Sequence, residues 1–533
     1  MHSAPIDQNS QEHISLLPRL WRSRADLILL LILLFSAGLY VVLMVKDTIP
    51  LGGLVVICVL WLLYRLASGR QFVKTPMDFP VLGLLALLPL SLFISIDLDL
   101  TLPKVYGLIL GVVFFYFIVH YINNQKRLTM AIIFLVLLPI GIVLMAAVSS
   151  DWSDSKFAFL NQLFEHLPFL SKFIPVSIYE RGINLNTISG ALTFFVPFLI
   201  SLLMHPRFVY LSNIKRGTKK KIWRSIFLFV KIISLSLVLL TLFLARSRGA
   251  WLGITLGTLV LLVWKDRRFL WLIPISIIGF VILLQLLSVK NIADVVNLFN
   301  INEMATLSDR LDIWRGAIYL IQDFPITGSG LGTYGRMFTR FYSYYGNVSF
   351  HAHNIFLTVA VDQGIPALIL YTAMLSGFTC MGFFTIKDSE RHIQALVVGI
   401  GCGMLSYHIF GIMDSYMLGS KMGVIMWIYL GLMTALFIHN HNITFPLLRE
   451  DANINREIPG DHNSLPKEQQ VKLFIIGMSV WLLSCLVAIA FITNFPYISL
   501  ILAMIGGILL GFIISRRINV LCFLNKNKEC YNQ

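Results

Sequence analysis

The sequence predicts an all-α polytopic membrane protein with about 12–14 transmembrane helices. Two observations carry this. The 533 residues are 57% hydrophobic and only 13% charged, against about 25% charged in a soluble domain. Apolar runs close to the ~20 residues needed to cross a ~30 Å hydrocarbon layer also recur along the chain. The charge deficit is spread throughout, which excludes a large soluble domain.

The spans follow in order: 27–45, 51–66, 79–95, 105–121, 128–148, 183–204, 225–245, 249–264, 269–288, 365–386, 393–412, 422–439, 471–492 and 497–514. The first follows basic Arg19, Arg22 and Arg24. It is too long for a signal-peptide core and lacks a small-residue cleavage site, so it reads as a span. The +15 net charge would suggest nucleic acid in a soluble chain. Here the bases sit in alternate short loops: Arg70 and Lys74, Lys126 and Arg127, seven Lys or Arg in 205–224, Lys265 to Arg268, Lys387 and Arg391. That is the positive-inside signal, and it places both termini in the cytoplasm. The six cysteines show no metal spacing and none falls in an outside loop, so no structural disulfide is expected.

The organisation divides into a transmembrane core (1–445), a cytoplasmic linker (446–470) and a two-helix appendage with its tail (471–533). Two outer segments are long, 149–182 and 289–352. Long loops in an economical chain are where function concentrates.

Five polar motifs fall at the outer face. Arg246-Ser247-Arg248-Gly249-Ala250-Trp251 turns between two spans. Gly249 would permit a tight turn, and arginines of the disfavoured sign there point to function. Guanidinium suits bidentate phosphate binding; the bland alternative is snorkelling to headgroups. Ser308 or Asp309 would cap a helix in which Leu311, Trp314, Ile318 and Ile321 make an apolar face. Such a helix would lie on the outer leaflet, offer Arg310 for substrate binding and end at Pro325 and Gly328. Residues 330–335 satisfy GxGxxG, yet no strand precedes them, which excludes a dinucleotide site. A flexible turn is expected there. His351-Ala352-His353-Asn354 supplies a titratable base in His353. Two residues apart on a helix, its imidazoles would point to different faces, which argues against a metal. A helix-capping cluster is the structural alternative. Glu180 to Asn186 adds Arg181 and amides including Asn186. Asp362, and Asp414 beside His408, are carboxylates in apolar settings that could simply pair with a base inside the bundle.

In order and spacing, SRGAWLG (247–253), Arg310 with Trp314, Pro325-x2-Gly328-x-Gly330-x-Gly332, His351 to Asn354, and Asp362-x-Gly364 resemble the O-antigen ligase and polymerase superfamily of GT-C-type membrane glycosyltransferases. The last motif carries Asp where that family usually has Glu. The likeness runs from about 180 to 385. It implies a GT-C-like fold and a donor glycan on undecaprenyl pyrophosphate, presented at the outer face of the bacterial inner membrane. It also implies His353, Arg248 and Arg181 as catalytic residues: a base and two pyrophosphate-holding cations. Arg310, Arg246, His351, Asn186 and Asp362 would bind substrate. No cofactor, metal or nucleic acid is implied. The acceptor is a lipid A-core sugar in the ligase reading. Polymerases and protein O-oligosaccharyltransferases of the superfamily use a glycan repeat or a protein instead. A secondary transporter is the rival of another class; it expects internal repeats and midplane charges, whereas these charges lie at one face. A lipid flippase or non-catalytic scaffold is a third reading, which would need the outer arginines for headgroups and not His353.

Overall fold

The computed structural model describes residues 28, 31–32, 51–68, 74–149, 184–205, 218–245, 247–275, 278, 304–342, 349, 351–414, 418–420, 423–441 and 467–531. Arg181 and Arg246 lie outside the described residues, as does most of the spans expected at 27–45 and 269–288.

The described chain is helical. In order it forms α1 (Leu51–Ser68), α2 (Asp78–Ala86), α3 (Leu88–Ile94), α4 (Leu98–Tyr121), α5 (Gln125–Ser149), α6 (Leu185–Thr193), α7 (Phe195–Met204), α8 (Thr218–Ala245) and α9 (Arg248–Lys265). There follow α10 (Met304–Asp323), α11 (Tyr334–Met337), α12 (Ile355–Asp388), α13 (Arg391–Met413), α14 (Val424–His441), α15 (Lys467–Ile492) and α16 (Pro496–Tyr531). Among the described residues 8 stretches are long and apolar enough to cross a membrane. The protein is a multi-pass membrane protein. Helices dominate because a backbone in hydrocarbon must satisfy its own N–H and C=O groups.

Lipid is as apolar as leucine, so helices in a bilayer associate through close packing more than through hydrophobicity. Glycine supplies that closeness here. A Cβ at Gly253 would lie 2.4 Å from Ser406 O, and one at Gly257 would lie 2.8 Å from Cys402 O. The stripe of Gly249, Gly253 and Gly257 therefore seats α9 directly on α13. Gly249 faces Phe410 at 3.3 Å; its part is packing, rather than the tight turn the sequence suggested. This crossing brings the start of α9 to the end of α13, and that juncture builds the site. Gly253→Val should cost about 1–3 kcal/mol of overpacking, read as a lower midpoint of denaturation in detergent together with lost activity.

The helix α12 is longer than the expected 365–386. It starts at Ile355 and breaks at Gln363 and Gly364, where Gly364 has φ 78°. The Asp-Gln-Gly sequence reads locally as a loop, yet the chain runs helical on either side of it. Pro325–Thr333 fills the break. Ser329 N–H donates to Val361 O (2.7 Å), Gly330 N–H to Asp362 O (3.2 Å), and Ile365 N–H to Pro325 O (2.8 Å). Gly332 N–H donates to the Asp362 carboxylate at 3.1 Å. Irregular backbone at membrane depth survives where protein satisfies it, and here each irregular segment satisfies the other. The glycine-rich stretch is thus a buried plug, in contrast to the expected flexible turn. Gly328, Gly330 and Gly332 have φ of 67°, 99° and 76°. A Cβ on Gly328 would meet Gln363 N at 2.5 Å, so Gly328→Val should destabilise the fold by about 1–3 kcal/mol or more, measurable by thermal unfolding.

The helix α10 also differs from its expectation. It begins at Met304, four residues before the proposed Ser308 cap, and Leu311 is exposed. Ile313, Ala317, Leu320 and the expected Ile318 and Ile321 form the buried face, against α12 and the π-helical turn Phe338–Tyr342. It does end just before Pro325.

The terminal hairpin lies along α12. Gly507 and Gly511 of α16 meet Thr372, Ala373 and Ser376, and Ser376 Oγ donates to Ile508 O at 3.1 Å. Trp481 Nε1 donates to Pro366 O (3.3 Å), and Gln322 of α10 reaches Ile492 O (3.0 Å).

Candidate active site

At one end of the bundle four chain segments meet: the starts of α6, α9 and α12 and the end of α13. Each is fixed by a cap. Asn184 caps α6, accepting from Asn186 N–H at 2.8 Å. Ser247 caps α9 by accepting from Ala250 N–H. Asn354 caps α12, accepting from Phe356 and Leu357 N–H at 3.0 and 3.2 Å. The same Asn354 donates through Nδ2 to Ile412 O at 3.3 Å, which pins the start of α12 to the last turn of α13. Capping is thus the role of Asn354 alone within the His-Ala-His-Asn motif.

These caps align a continuous chain of polar side chains. Ser247 Oγ donates to Asn186 Oδ1, and Asn186 Nδ2 donates to Asp414 Oδ2. The other carboxylate oxygen, Oδ1, accepts from His353 Nδ1 at 3.1 Å. The Asp414 side chain is only 7% exposed, while the His353 side chain is 29% exposed. One end of the relay is therefore held inside protein and the other is open to a reactant. Donation from Nδ1 fixes the tautomer in which Nε2 carries a free lone pair.

Local preferences are broken here in three ways. His353 has φ 48° and is the non-glycine residue with positive φ among the described residues; held in that region it costs about 1–3 kcal/mol. Asp414 places a carboxylate at the C-terminus of α13, and Arg248 places a cation at the N-terminus of α9. Each charge sits at the helix end its dipole disfavours. Such concentrated violations mark functional sites.

His351 joins the group. Its ring centroid is 4.2 Å from that of His353, and its Nε2 is 3.8 Å from Asp414 Oδ1. Its Nδ1 is buried with no hydrogen-bond partner. Burial pushes the His351 imidazole down to about 4; the Asp414 carboxylate opposes this, and the nearby His353 and Lys104 charges reinforce it. The two histidines occupy a turn, not a helix, so the expectation that they face apart does not hold.

Of the residues singled out in the sequence, His353, His351 and Asn186 come together, and Arg248 stands next to Ser247 at the same juncture. Arg248 is exposed there. Arg310 lies on the half-buried side of α10. Asp362 is 3% exposed and engaged by Gly332, which makes it a buried anchor for the glycine plug. Three contributors were missed. In the sequence Asp414 reads only as a carboxylate that could pair inside the bundle, and Ser247 is one residue of the arginine-bearing turn. Lys104, in the second turn of α4, is the third. Its backbone closes on Gly419, whose Cβ would lie 1.7 Å from Lys104 O, and its charge is felt at His351. The available signal is a lysine near the outer end of an otherwise apolar helix, against the positive-inside bias.

The sequence profile of the O-antigen ligase family matches residues 233–372. The match supports the O-antigen ligase and polymerase superfamily. It covers Ser247, Arg248, Arg310, the glycine plug, both histidines and Asp362. Asn186 and Asp414, which complete the relay, lie outside it. No curated protein matches the chain.

Proposed function

We propose that the protein is an O-antigen ligase-like glycosyltransferase of the bacterial inner membrane. It moves a glycan from undecaprenyl pyrophosphate to a sugar hydroxyl of a lipid A-core acceptor. Both termini are cytoplasmic and the site faces outside, as the loop charges argue. The observation that carries the reading is the Asp414–His353 pair: a partly exposed imidazole oriented by a buried carboxylate, linked through Asn186 to Ser247 at the start of α9, where Arg248 follows.

In the proposed reaction His353 Nε2 takes the proton from the acceptor hydroxyl as its oxygen bonds to the anomeric carbon. The bond from that carbon to the pyrophosphate oxygen breaks, and undecaprenyl pyrophosphate leaves with the electron pair. Arg248, with Arg181, holds the pyrophosphate and stabilises its growing charge. Lys104, whose charge reaches His351, adds positive potential. Arg310, Arg246, His351 and Asn186 line or support the substrate path, and Asp362 acts through the plug. Asp414 neutralises the imidazolium that forms, as the carboxylate does in other carboxylate–histidine bases.

The test is transfer by the purified protein in detergent, with the lipid-linked glycan as donor and either a lipid A-core or a second glycan repeat as acceptor. Product on the core acceptor supports the ligase reading; product only on the repeat makes the protein a polymerase; no transfer to either refutes both. Arg248→Ala should lower kcat about 10²–10³-fold, with Arg248→Lys recovering part of it because a point charge cannot match a bidentate fork.

A further inference from the structure

We infer that His351, His353 and Asp414 form an inhibitory binding site for a divalent transition-metal cation such as zinc. The inhibition, though not the binding, rests on the base role proposed above for His353.

The geometry fits the ligand chemistry. One ligand atom from each residue lies within 4.8 Å of the others. Zinc bonds to nitrogen and oxygen at about 2.0–2.2 Å, so two ligands of a tetrahedral site stand about 3.4 Å apart. His353 Nδ1 and Asp414 Oδ1 are 3.1 Å apart, and His351 Nε2 is 3.8 Å from the same oxygen. Movements of a few tenths of an ångström would bring these two pairs to that spacing. Two imidazoles and one carboxylate are a known zinc set that leaves a fourth position open. Asn186, on the other carboxylate oxygen, supplies the outer hydrogen bond that orients a ligating carboxylate. His351 has the character of a ligand in waiting. At 3.8 Å its Nε2 makes no hydrogen bond to Asp414, so that nitrogen's lone pair is not committed to the carboxylate. The reaction proposed above gives this nitrogen no bonding partner. The Lys104 charge opposes a cation, which favours the tighter-binding end of the first-row series over magnesium or calcium.

The inhibition follows from the tautomer. A neutral imidazole carries one N–H. When His353 Nδ1 gives its lone pair to the metal, the proton must sit on Nε2. That nitrogen then donates and can no longer accept the acceptor hydroxyl's proton. Asp414 is taken from the histidine at the same time. Bound zinc thus removes the base without touching the arginines that hold the donor.

The experiment uses the full-length protein in detergent, stripped with a chelator and titrated with cobalt(II), whose visible absorption reports nitrogen and oxygen ligation. Wild type should take up ~1 cobalt per chain, displaced by zinc, and its unfolding temperature should rise on binding. His351→Gln and Asp414→Asn should lose the spectrum and the thermal shift. Zinc should cut wild-type transfer at least tenfold, reversibly with chelator. The ratio of rates with and without zinc should approach one in His351→Gln, whatever that variant's own rate. Cobalt binding unchanged in the variants, or none in wild type, overturns the site. Transfer that requires zinc overturns the inhibitory role. A wild type that binds cobalt but transfers nothing refutes the proposed function and leaves the site standing.

Discussion

Replacing His353 by alanine should lower glycan transfer about 10²–10⁴-fold, the usual worth of a general base, while donor binding persists. The separation of effects follows from where the groups sit. Arg248, which with Arg181 would hold the pyrophosphate, belongs to α9, and Lys104, which adds positive potential, belongs to α4. His353 belongs to the turn before α12 and reaches them only through the shared juncture. The φ of 48° strains alanine as it does histidine, and the loss of the Nδ1 donor leaves the buried Asp414 carboxylate one partner short, so a modest loss of thermal stability should accompany the kinetic defect. Measuring kcat beside donor affinity checks this. A fall in donor affinity equal to the fall in rate would make His353 a binding residue.

Asp414→Asn should be nearly as costly, about 10²–10⁴-fold in kcat. Asparagine keeps the shape, yet its amide must now satisfy two donors, Asn186 Nδ2 and His353 Nδ1, with a single oxygen. One of two things follows. The amide presents its nitrogen to His353, which inverts the imidazole tautomer and puts the proton on Nε2. Otherwise it presents nitrogen to Asn186 and sets two donors against each other in a site 7% exposed. Either route disables the base. A buried unsatisfied donor costs about 1–3 kcal/mol, so a modest loss of thermal stability should accompany the kinetic defect. A kcat unchanged within twofold would show that Asp414 merely packs.

The sequence made the membrane architecture legible because a bilayer leaves so few choices. Twenty apolar residues between charged loops can hardly be anything else, and α5, α9, α13, α14 and α15 start and stop near where hydropathy puts them. In contrast, α4 and α8 begin seven residues before the expected spans at 105–121 and 225–245, and the span expected at 183–204 is divided into α6 and α7. It did less well where a segment's neighbours decide its shape. Asp362 to Gly364 look like a loop because glycine and two polar residues break the apolar run. Only the plug at Pro325–Thr333, thirty residues earlier in the chain, allows α12 to pass through that break. The plug was equally hard to read, since three glycines within five residues suggest mobility unless the partner backbone is known.

The site was half legible. His353 and Arg248 announced themselves as polar residues at an apolar boundary, and the family resemblance gave them roles. Asp414 could not be paired from spacing, being 61 residues from His353. What joins them is the glycine stripe that seats α9 on α13 and the Asn354 cap that ties α12 to Ile412. Neither the stripe nor the cap carries chemistry, so neither attracted notice as part of a site.

The central claim is that Asp414 and His353 act as one base. A double-mutant cycle tests it most directly: transfer rates of wild type, His353→Ala, Asp414→Asn and the double variant under donor and acceptor saturation. Residues acting as a unit are strongly non-additive. The double variant should therefore be no slower than His353→Ala within about threefold. Losses that multiply, so that the double variant is slower by the product of the two single effects, would contradict a shared base and place Asp414 in some separate role.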